Sequence, residues 1–191
     1  MALLPKNVLP LGRARELRRQ RGFTLIDMLF VIALIGLLSS LALPSLGRAR
    51  DRAQATSAMG TLRLINSAQL NFAITCGLGF YAPDLPTLGM APPAALQAFL
   101  PADLTGAASV IRSGYAFAVT ATPLEGAPAA CNGLPPGRSS TGYAAIADPL
   151  DPATNPRFYG TNADGTLYEH TATLAGSMPE SGAPALGTAV K

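Results

Sequence analysis

The sequence has few of the side chains that usually carry out catalysis. Its 191 residues include no Trp, one His (His170) and two Cys, and only 13% of them are charged. A single histidine excludes a cluster of several histidines around a metal within one chain. Beyond residue 22 the only lysine is Lys191, so a phosphate-binding loop with its lysine is missing too. The sequence therefore predicts a protein that is not an enzyme.

Charge is almost absent from residues 23–46, where Asp27 is the only charged side chain. A helix over these residues would be about 36 Å long, which exceeds the roughly 30 Å of a bilayer's hydrocarbon core. The alternative is a buried core helix, but such a helix rarely stays apolar on every face for so long. We therefore expect residues 23–46 to form a transmembrane helix.

The segment before this apolar run, residues 1–22, is strongly basic. It carries one acid, Glu16, and six basic side chains, which are Lys6, Arg13, Arg15, Arg18, Arg19 and Arg21. Positive flanks stay on the cytoplasmic side, so we expect the N-terminus inside and the chain after about Leu46 outside. Without residues 1–22, eight of the 14 basic and ten of the 11 acidic side chains remain, a net charge of −2. Nucleic acid is therefore an unlikely primary partner.

The order of these signals differs from that of an ordinary secretory signal, in which the small-residue cleavage site follows a short apolar core. Here the small residue, Gly22, precedes the apolar run. The segment resembles the N-terminal signature of type IV pilins and of the pseudopilins of type II secretion. The close match covers about residues 18–46, with the motif Gly22-Phe23-Thr24-Leu25-Ile26-Asp27-Met28, then Val31-Ile32-Ala33-Leu34-Ile35-Gly36, and Pro44.

The resemblance implies a route of processing and assembly. In a class III prepilin signal, a membrane peptidase would cut between Gly22 and Phe23, and the new Phe23 amine would be N-methylated. Subunits would wait in the inner membrane as single-pass proteins and then enter a helical filament in the periplasm or at the cell surface. The implied partners are the prepilin peptidase and methylase, an inner-membrane assembly platform, membrane lipid and further copies of this chain.

Asp27 departs from the family pattern, which usually has Glu at the fifth residue of the mature chain. An acid within an apolar segment normally has a partner, and the resemblance implies that this partner is the Phe23 amine of a neighbouring subunit. Because both charges leave water together, the pair would favour the correct axial register. The alternative is that Asp27 lies at the headgroup level and has no specific role. We expect the assembly role, with a closer approach than a Glu needs.

Gly36 and Pro44 weaken the apolar helix, because Gly lowers helix propensity and Pro removes a backbone hydrogen bond. A simple kink is one interpretation, and membrane helices tolerate kinks. The family resemblance suggests a further one, local melting of residues 36–44 when a subunit leaves the bilayer for the filament.

The rest of the sequence predicts an α+β, pilin-like fold. An amphipathic helix half is expected over 47–76, with an apolar stripe at steps of three and four residues: Ala55, Met59, Leu62, Ile65, Ala68 and Phe72. A variable loop over 77–113 and an antiparallel sheet of three or four strands over 114–170 would follow, with a hairpin turn at Asp164-Gly165. Residues 171–191 are predicted to be a flexible tail.

Cys76 and Cys131 both lie on the expected outer side of the membrane, where the compartment permits disulfides. We expect a bridge between them; two free buried thiols are the alternative. No cofactor is expected. Asn162 and Asp164, or the pair Asp148 and Asp151, offer oxygen ligands of the kind that calcium prefers, but turn chemistry explains the same residues.

Three functions remain open at this point. The first is a structural subunit of a type IV pilus-like filament. The second is a pseudopilin of a type II secretion system, which shares the N-terminal signature. The third, from another class, is a monomeric membrane-anchored surface binding protein, which would need a pocket or a basic stripe that the composition does not indicate.

Overall fold

The structure is a computed structural model that describes residues 22–93, 95 and 97–190, and only the backbone of 41–44. Residues 1–21 of the predicted leader lie outside the described residues. The chain divides into two compact units, a first that ends at Pro44 and a second that begins at Ser45. This boundary is two residues before the one expected between the transmembrane and amphipathic helix halves.

One α-helix, α1, spans Leu25–Thr75. In the first unit its side chains from Leu25 to Ser40 are exposed, and most of them are apolar. In the second unit the predicted stripe is buried, with the sole exception of Met59, which is partly buried. Helix and stripe are thus confirmed, because steps of three and four residues keep one face of a helix apolar.

The sheet has six antiparallel strands in sequence order, each paired with the next. They are β1 (Ser109–Arg112), β2 (Tyr115–Thr120), β3 (Ala144–Pro149), β4 (Phe158–Asn162), β5 (Leu167–His170) and β6 (Thr188–Ala189). Along the chain, two short helices separate α1 from β1: a one-turn helix, α2 (Leu85–Leu88), and a short 3-10 helix, Ala102–Leu104. The fold class α+β is confirmed.

The main core lies between the second half of α1 and one face of the sheet. Alternate residues of β2, namely Tyr115, Phe117 and Val119, are buried against the helix stripe. The fully buried Tyr143 joins the two layers, because its hydroxyl donates to Asn66 Oδ1 at 2.7 Å. Burial of this apolar surface is the main stabilising term for the second unit.

The sheet is larger than predicted, with six strands rather than three or four. The additional strands are β1, within the segment predicted to be a loop, and β6, within the predicted tail. β1 forms because Ser113 and Gly114, both at positive φ of 50° and 80°, reverse the chain into β2. Positive φ at both central residues is the conformation of a tight hairpin turn.

The prediction of a flexible tail over 171–191 is wrong for most of that segment. Leu174 is fully buried and Met178 nearly so, and they pack with Ala144 on the face of the sheet opposite α1. The Asn162 side chain donates to the carbonyls of Pro179 and Gly182 at 3.1 and 2.6 Å. The segment stays in place because it covers apolar surface that would otherwise face water.

Candidate assembly site

The first unit exposes an apolar surface on every side of α1. Its large hydrophobic side chains between Phe23 and Leu38 are 42% to 78% exposed. Among the described residues, α1 is the one helix long and apolar enough to cross a membrane. A contiguous apolar surface of this size is normally covered by lipid or by other protein chains.

Thr24 and Asp27 form a reciprocal cap at the start of α1. The Thr24 backbone N–H and hydroxyl donate to Asp27 Oδ2 at 3.0 and 2.7 Å, and the Asp27 backbone N–H donates back to the Thr24 hydroxyl at 3.3 Å. This is a capping box, with Asp in the place of the more usual Glu. The role of Thr24 as the N-cap was not predicted, although the Thr-x-x-Asp spacing indicates a capping box.

Gly22 and Phe23 lie directly before this cap, outside the helix. Phe23 is 76% exposed, and a Cβ placed on Gly22 would meet no atom within 4 Å. The two residues of the expected cleavage bond are therefore both exposed and precede the cap that holds Asp27. An irregular and exposed backbone is the kind that a peptidase can bind.

Helix α1 is continuous through Gly36 and Pro44. A Cβ on Gly36 would have open space around it, so packing within this chain does not require glycine there. The Pro44 side chain lies outside the described residues. The weakening role of these two residues stays a prediction.

Cys76 and Cys131 are joined by a disulfide, across a sequence separation of 55 residues. The pairing predicted from the compartment is confirmed. The bond ties the end of α1 to the loop between β2 and β3, and the Cys131 N–H also donates to the Cys76 carbonyl at 3.2 Å. Gly77 is required beside it, since a Cβ there would clash with the Phe80 carbonyl oxygen.

Asn162 and Asp164, the candidate calcium ligands, hold the C-terminal segment instead. Asp164 Oδ2 accepts from the Gly182 N–H at 2.7 Å, and Asn162 Oδ1 accepts from the Asp164 N–H at 3.2 Å. Within the described part of the chain there is no group of three or more His, Cys, Asp or Glu side chains that could hold a metal. The expectation that the chain takes no metal stays a prediction.

Comparison with known proteins finds similarity to a family model and to a curated protein. The family model for the prokaryotic N-terminal methylation motif matches residues 17–43. The N-terminal segment of this chain is therefore similar to that of type IV pilins. The type IV major pilin protein PilA of Myxococcus xanthus (strain DK1622) is 37% identical to this chain over 54 residues, 28% of this chain.

That alignment spans only about a quarter of the pilin's own length (24%). No solved structure matches the chain. The expectation that this chain is not an enzyme stays a prediction. The motif and the exposed apolar helix together fit membrane anchoring before assembly.

Proposed function

We propose that this chain is the structural subunit of a type IV pilus-like filament and joins its neighbours through the first half of α1. The observation that carries the proposal is the exposed apolar part of α1 in the first unit, which begins two residues after Phe23 and holds one acid. Before assembly lipid covers this surface, with the N-terminus in the cytoplasm and the second unit outside. After assembly other copies of the same helix cover it.

Processing between Gly22 and Phe23 would remove the basic leader and retain the apolar helix. A prepilin peptidase and methylase would carry out this step, and an inner-membrane platform would then extract the subunit. The exposure of Phe23 and the open space around Gly22 support the accessibility of this bond.

Asp27 would set the register between subunits by pairing with the N-methylated Phe23 amine of a neighbour. Among the described residues its hydrogen bonds use only Oδ2, which leaves Oδ1 as an acceptor. Cap and intersubunit pair can therefore exist together on one carboxylate. An acid in an apolar layer needs such a partner, because an unpaired charge there is costly.

Residues 36–44 would melt when the subunit moves from the bilayer to the filament. A helix segment that carries a glycine and a proline eight positions apart loses less stability on opening than a uniform one. The opening would let the chain lengthen without disturbing the cap at Thr24.

The experiment compares Gly22→Leu with Gly60→Ala in the native host. Both glycines have open space around a built Cβ, so neither substitution obstructs folding. We expect Gly22→Leu to keep the leader, seen as a larger subunit on a gel, and to abolish filaments in electron micrographs of sheared surface material. Gly60→Ala should be processed and assembled normally. Processed, filament-forming Gly22→Leu protein would contradict the proposal.

Fibre length in the same micrographs separates the two assembly hypotheses. Long fibres that leave the surface identify a pilus, and short fibres with the subunit still processed identify a secretion pseudopilus. A monomeric surface protein would give no assembly in either form.

A further inference from the structure

A cleft of about 400 Å³ lies in the second unit between the start of its helix and the turn that joins β3 to β4. Asn155, which is nearly buried, ties the two walls together, since its side-chain amide donates to the Asp51 carbonyl at 3.4 Å. The turn is internally braced, because the Asp151 carboxylate accepts from the Ala153 N–H and from the Thr154 hydroxyl at 3.1 and 3.0 Å. The cleft is therefore a formed feature of the fold.

Three arginines line this cleft: Arg48 and Arg52 from α1, and Arg157 from the turn. One acid, Asp51, also lines it. Arg157 forms an ion pair of 3.6 Å with Glu169, which neutralises part of its charge, whereas neither ion pair among the described residues involves Arg48 or Arg52. The lining is thus net positive, and guanidinium groups match the geometry of phosphate oxygens.

A buried hydroxyl without a partner reaches the same cleft. Tyr159 is fully buried, and its phenolic oxygen has no hydrogen-bond partner among the described residues. The Arg157 guanidinium lies close to this hydroxyl, in a weak contact that does not reach full hydrogen-bond geometry. A buried hydroxyl normally has a partner, so an oxygen-rich ligand in the cleft would supply the missing one.

The backbone of Arg157 is also fixed in position by a hydrogen bond. The Tyr115 hydroxyl donates to the Arg157 carbonyl at 3.1 Å, and Tyr115 is itself fully buried. Backbone anchoring of this kind limits where the Arg157 side chain can reach.

The position of the cleft along the chain indicates its ligand. Arg48 and Arg52 follow Leu46, the end of the apolar run, by two and six residues, which is about 3 and 9 Å of helix. The polar headgroup layer on each side of a bilayer is about 5 to 8 Å thick. Arginines are unfavourable on the translocated flank of a membrane helix, and a binding role would explain why two of them are present in this cleft.

We propose that this cleft binds the phosphate of an anionic phospholipid headgroup, held by Arg48, Arg52 and Arg157 with a hydrogen bond to the Tyr159 hydroxyl. The proposal rests on the membrane-anchored stage of the proposed function. The bound headgroup would fix the height of the second unit over the bilayer until the subunit is extracted.

The test titrates short-chain phosphatidylglycerol, below its micelle concentration, into the detergent-solubilised full chain. The double variant Arg48→Gln/Arg157→Gln is compared with Arg63→Gln/Arg138→Gln, which removes the same charge from two exposed arginines outside the cleft. Any binding to the basic leader is common to both. We expect the cleft variant to bind at least fivefold more weakly than the control variant. Equal affinities would overturn the proposal.

Tyr159→Phe separates ligand binding from folding. It removes only an unpartnered hydroxyl, so we expect an unchanged or higher melting temperature together with weaker binding of phosphatidylglycerol. Unchanged binding would show that the hydroxyl does not contact the ligand as proposed.

Two further measurements show whether the cleft binds an anionic lipid headgroup rather than any lipid or free phosphate. Phosphatidylcholine should bind more weakly than phosphatidylglycerol, and inorganic phosphate at equal concentration should not displace the lipid.

If the cleft variant binds lipid normally but fails to form filaments, the arginines serve an acidic group of a neighbouring copy and the lipid proposal is wrong. Insertion of the full chain into phosphatidylcholine vesicles is measured first, because failure there refutes the membrane-anchored stage itself.

Discussion

At the scale of the residue, Asp27 combines two roles that a sequence pattern alone does not separate. It completes the capping box with Thr24, and it is the only charge in an otherwise apolar segment of 24 residues. A cap stabilises the start of α1 within one chain. An intersubunit pair would act only when a second copy is present.

Substitution of each partner distinguishes these roles. Thr24→Ala removes the hydroxyl of the cap but keeps the carboxylate, so we expect membrane insertion and filament assembly with a modest loss of yield. Asp27→Ala removes both roles and should leave the protein in the membrane but out of filaments. The measurement is the ratio of subunit in sheared fibres to subunit in the membrane fraction.

Asp27→Glu is the control for this comparison, because it keeps the carboxylate and restores the usual family residue. It should assemble like the wild type. Normal incorporation of Asp27→Ala into filaments would contradict the assembly role. Equal assembly defects in Thr24→Ala and Asp27→Ala would mean that Asp27 acts only by capping the helix.

Buried tyrosines make the second unit sensitive to alkali. Burial is the main cause that raises the pKa of Tyr115 to about 12, with a smaller contribution from Tyr159, and burial likewise raises the pKa of Tyr143 and Tyr159. An exposed tyrosine in the unfolded chain has a pKa of about 10. The folded state therefore binds protons more tightly, and its stability falls as the pH rises from about 10 towards 12.

The expected result is a melting temperature that is constant up to about pH 9 and then decreases. Phenolate absorbance should rise together with unfolding rather than before it. Tyr115→Phe should make the alkaline decrease shallower. Titration of all the tyrosines near pH 10 in a protein that is still folded would refute this account.

At the scale of the element, the Cys76–Cys131 bond secures the end of α1 to the loop between β2 and β3. A closed loop with a separation of 55 residues corresponds to about 4 kcal/mol of stabilisation in the chain-entropy view. We expect reductant to lower the melting temperature of the wild type and to leave the double variant Cys76→Ser/Cys131→Ser unchanged. A wild type that melts at the same temperature with and without reductant would show that the bond contributes little.

The C-terminal segment is a structural part of the second unit, although its composition resembles that of a tail. Leu174→Ala removes a fully buried side chain from the face of the sheet opposite α1 and should cost about 3 kcal/mol of unfolding free energy. Leu186→Ala, on a side chain that is 52% exposed, is the matched control and should change it by less than about 0.5 kcal/mol. Chemical denaturation measures both, and a similar small effect of the two would mean that the segment is dispensable.

The elements that the sequence predicted well are those with a local signal. The stripe from Ala55 to Phe72 and the alternation in β2 determine which faces are buried without reference to the rest of the fold. β6 has no such signal, because its two residues become a strand only when β5 offers an edge, with Ala189 opposite Tyr168. β1 had a signal that was overlooked, the Ser113-Gly114 pair between two apolar stretches.

The residues proposed as functional likewise divide into those with a local sequence signal and those without one. Gly22, Phe23 and Asp27 could be found because their spacing relative to the apolar run is fixed along the chain. The roles of Asn162 and Asp164 could not, since they hold residues 17 or more positions away and the segment they hold has no periodic pattern. The cleft around Arg157 likewise depends on the meeting of two distant parts of the chain.

At the scale of the whole molecule, the two units have different requirements. The first unit leaves its large apolar side chains between Phe23 and Leu38 exposed and needs a membrane or other subunits around it, whereas the second, from Ser45, has its own core between helix and sheet. A chain with this division is stable outside the membrane only in its second unit, so its assembly depends on covering the first unit.

The measurement that tests this account most directly is mass spectrometry of the N-terminal peptide of the subunit in fibres sheared from the cell surface. The account predicts a peptide that begins at Phe23 and carries a methylated amine. A native polypeptide that begins at Met1 and is never found in an assembled form would contradict it.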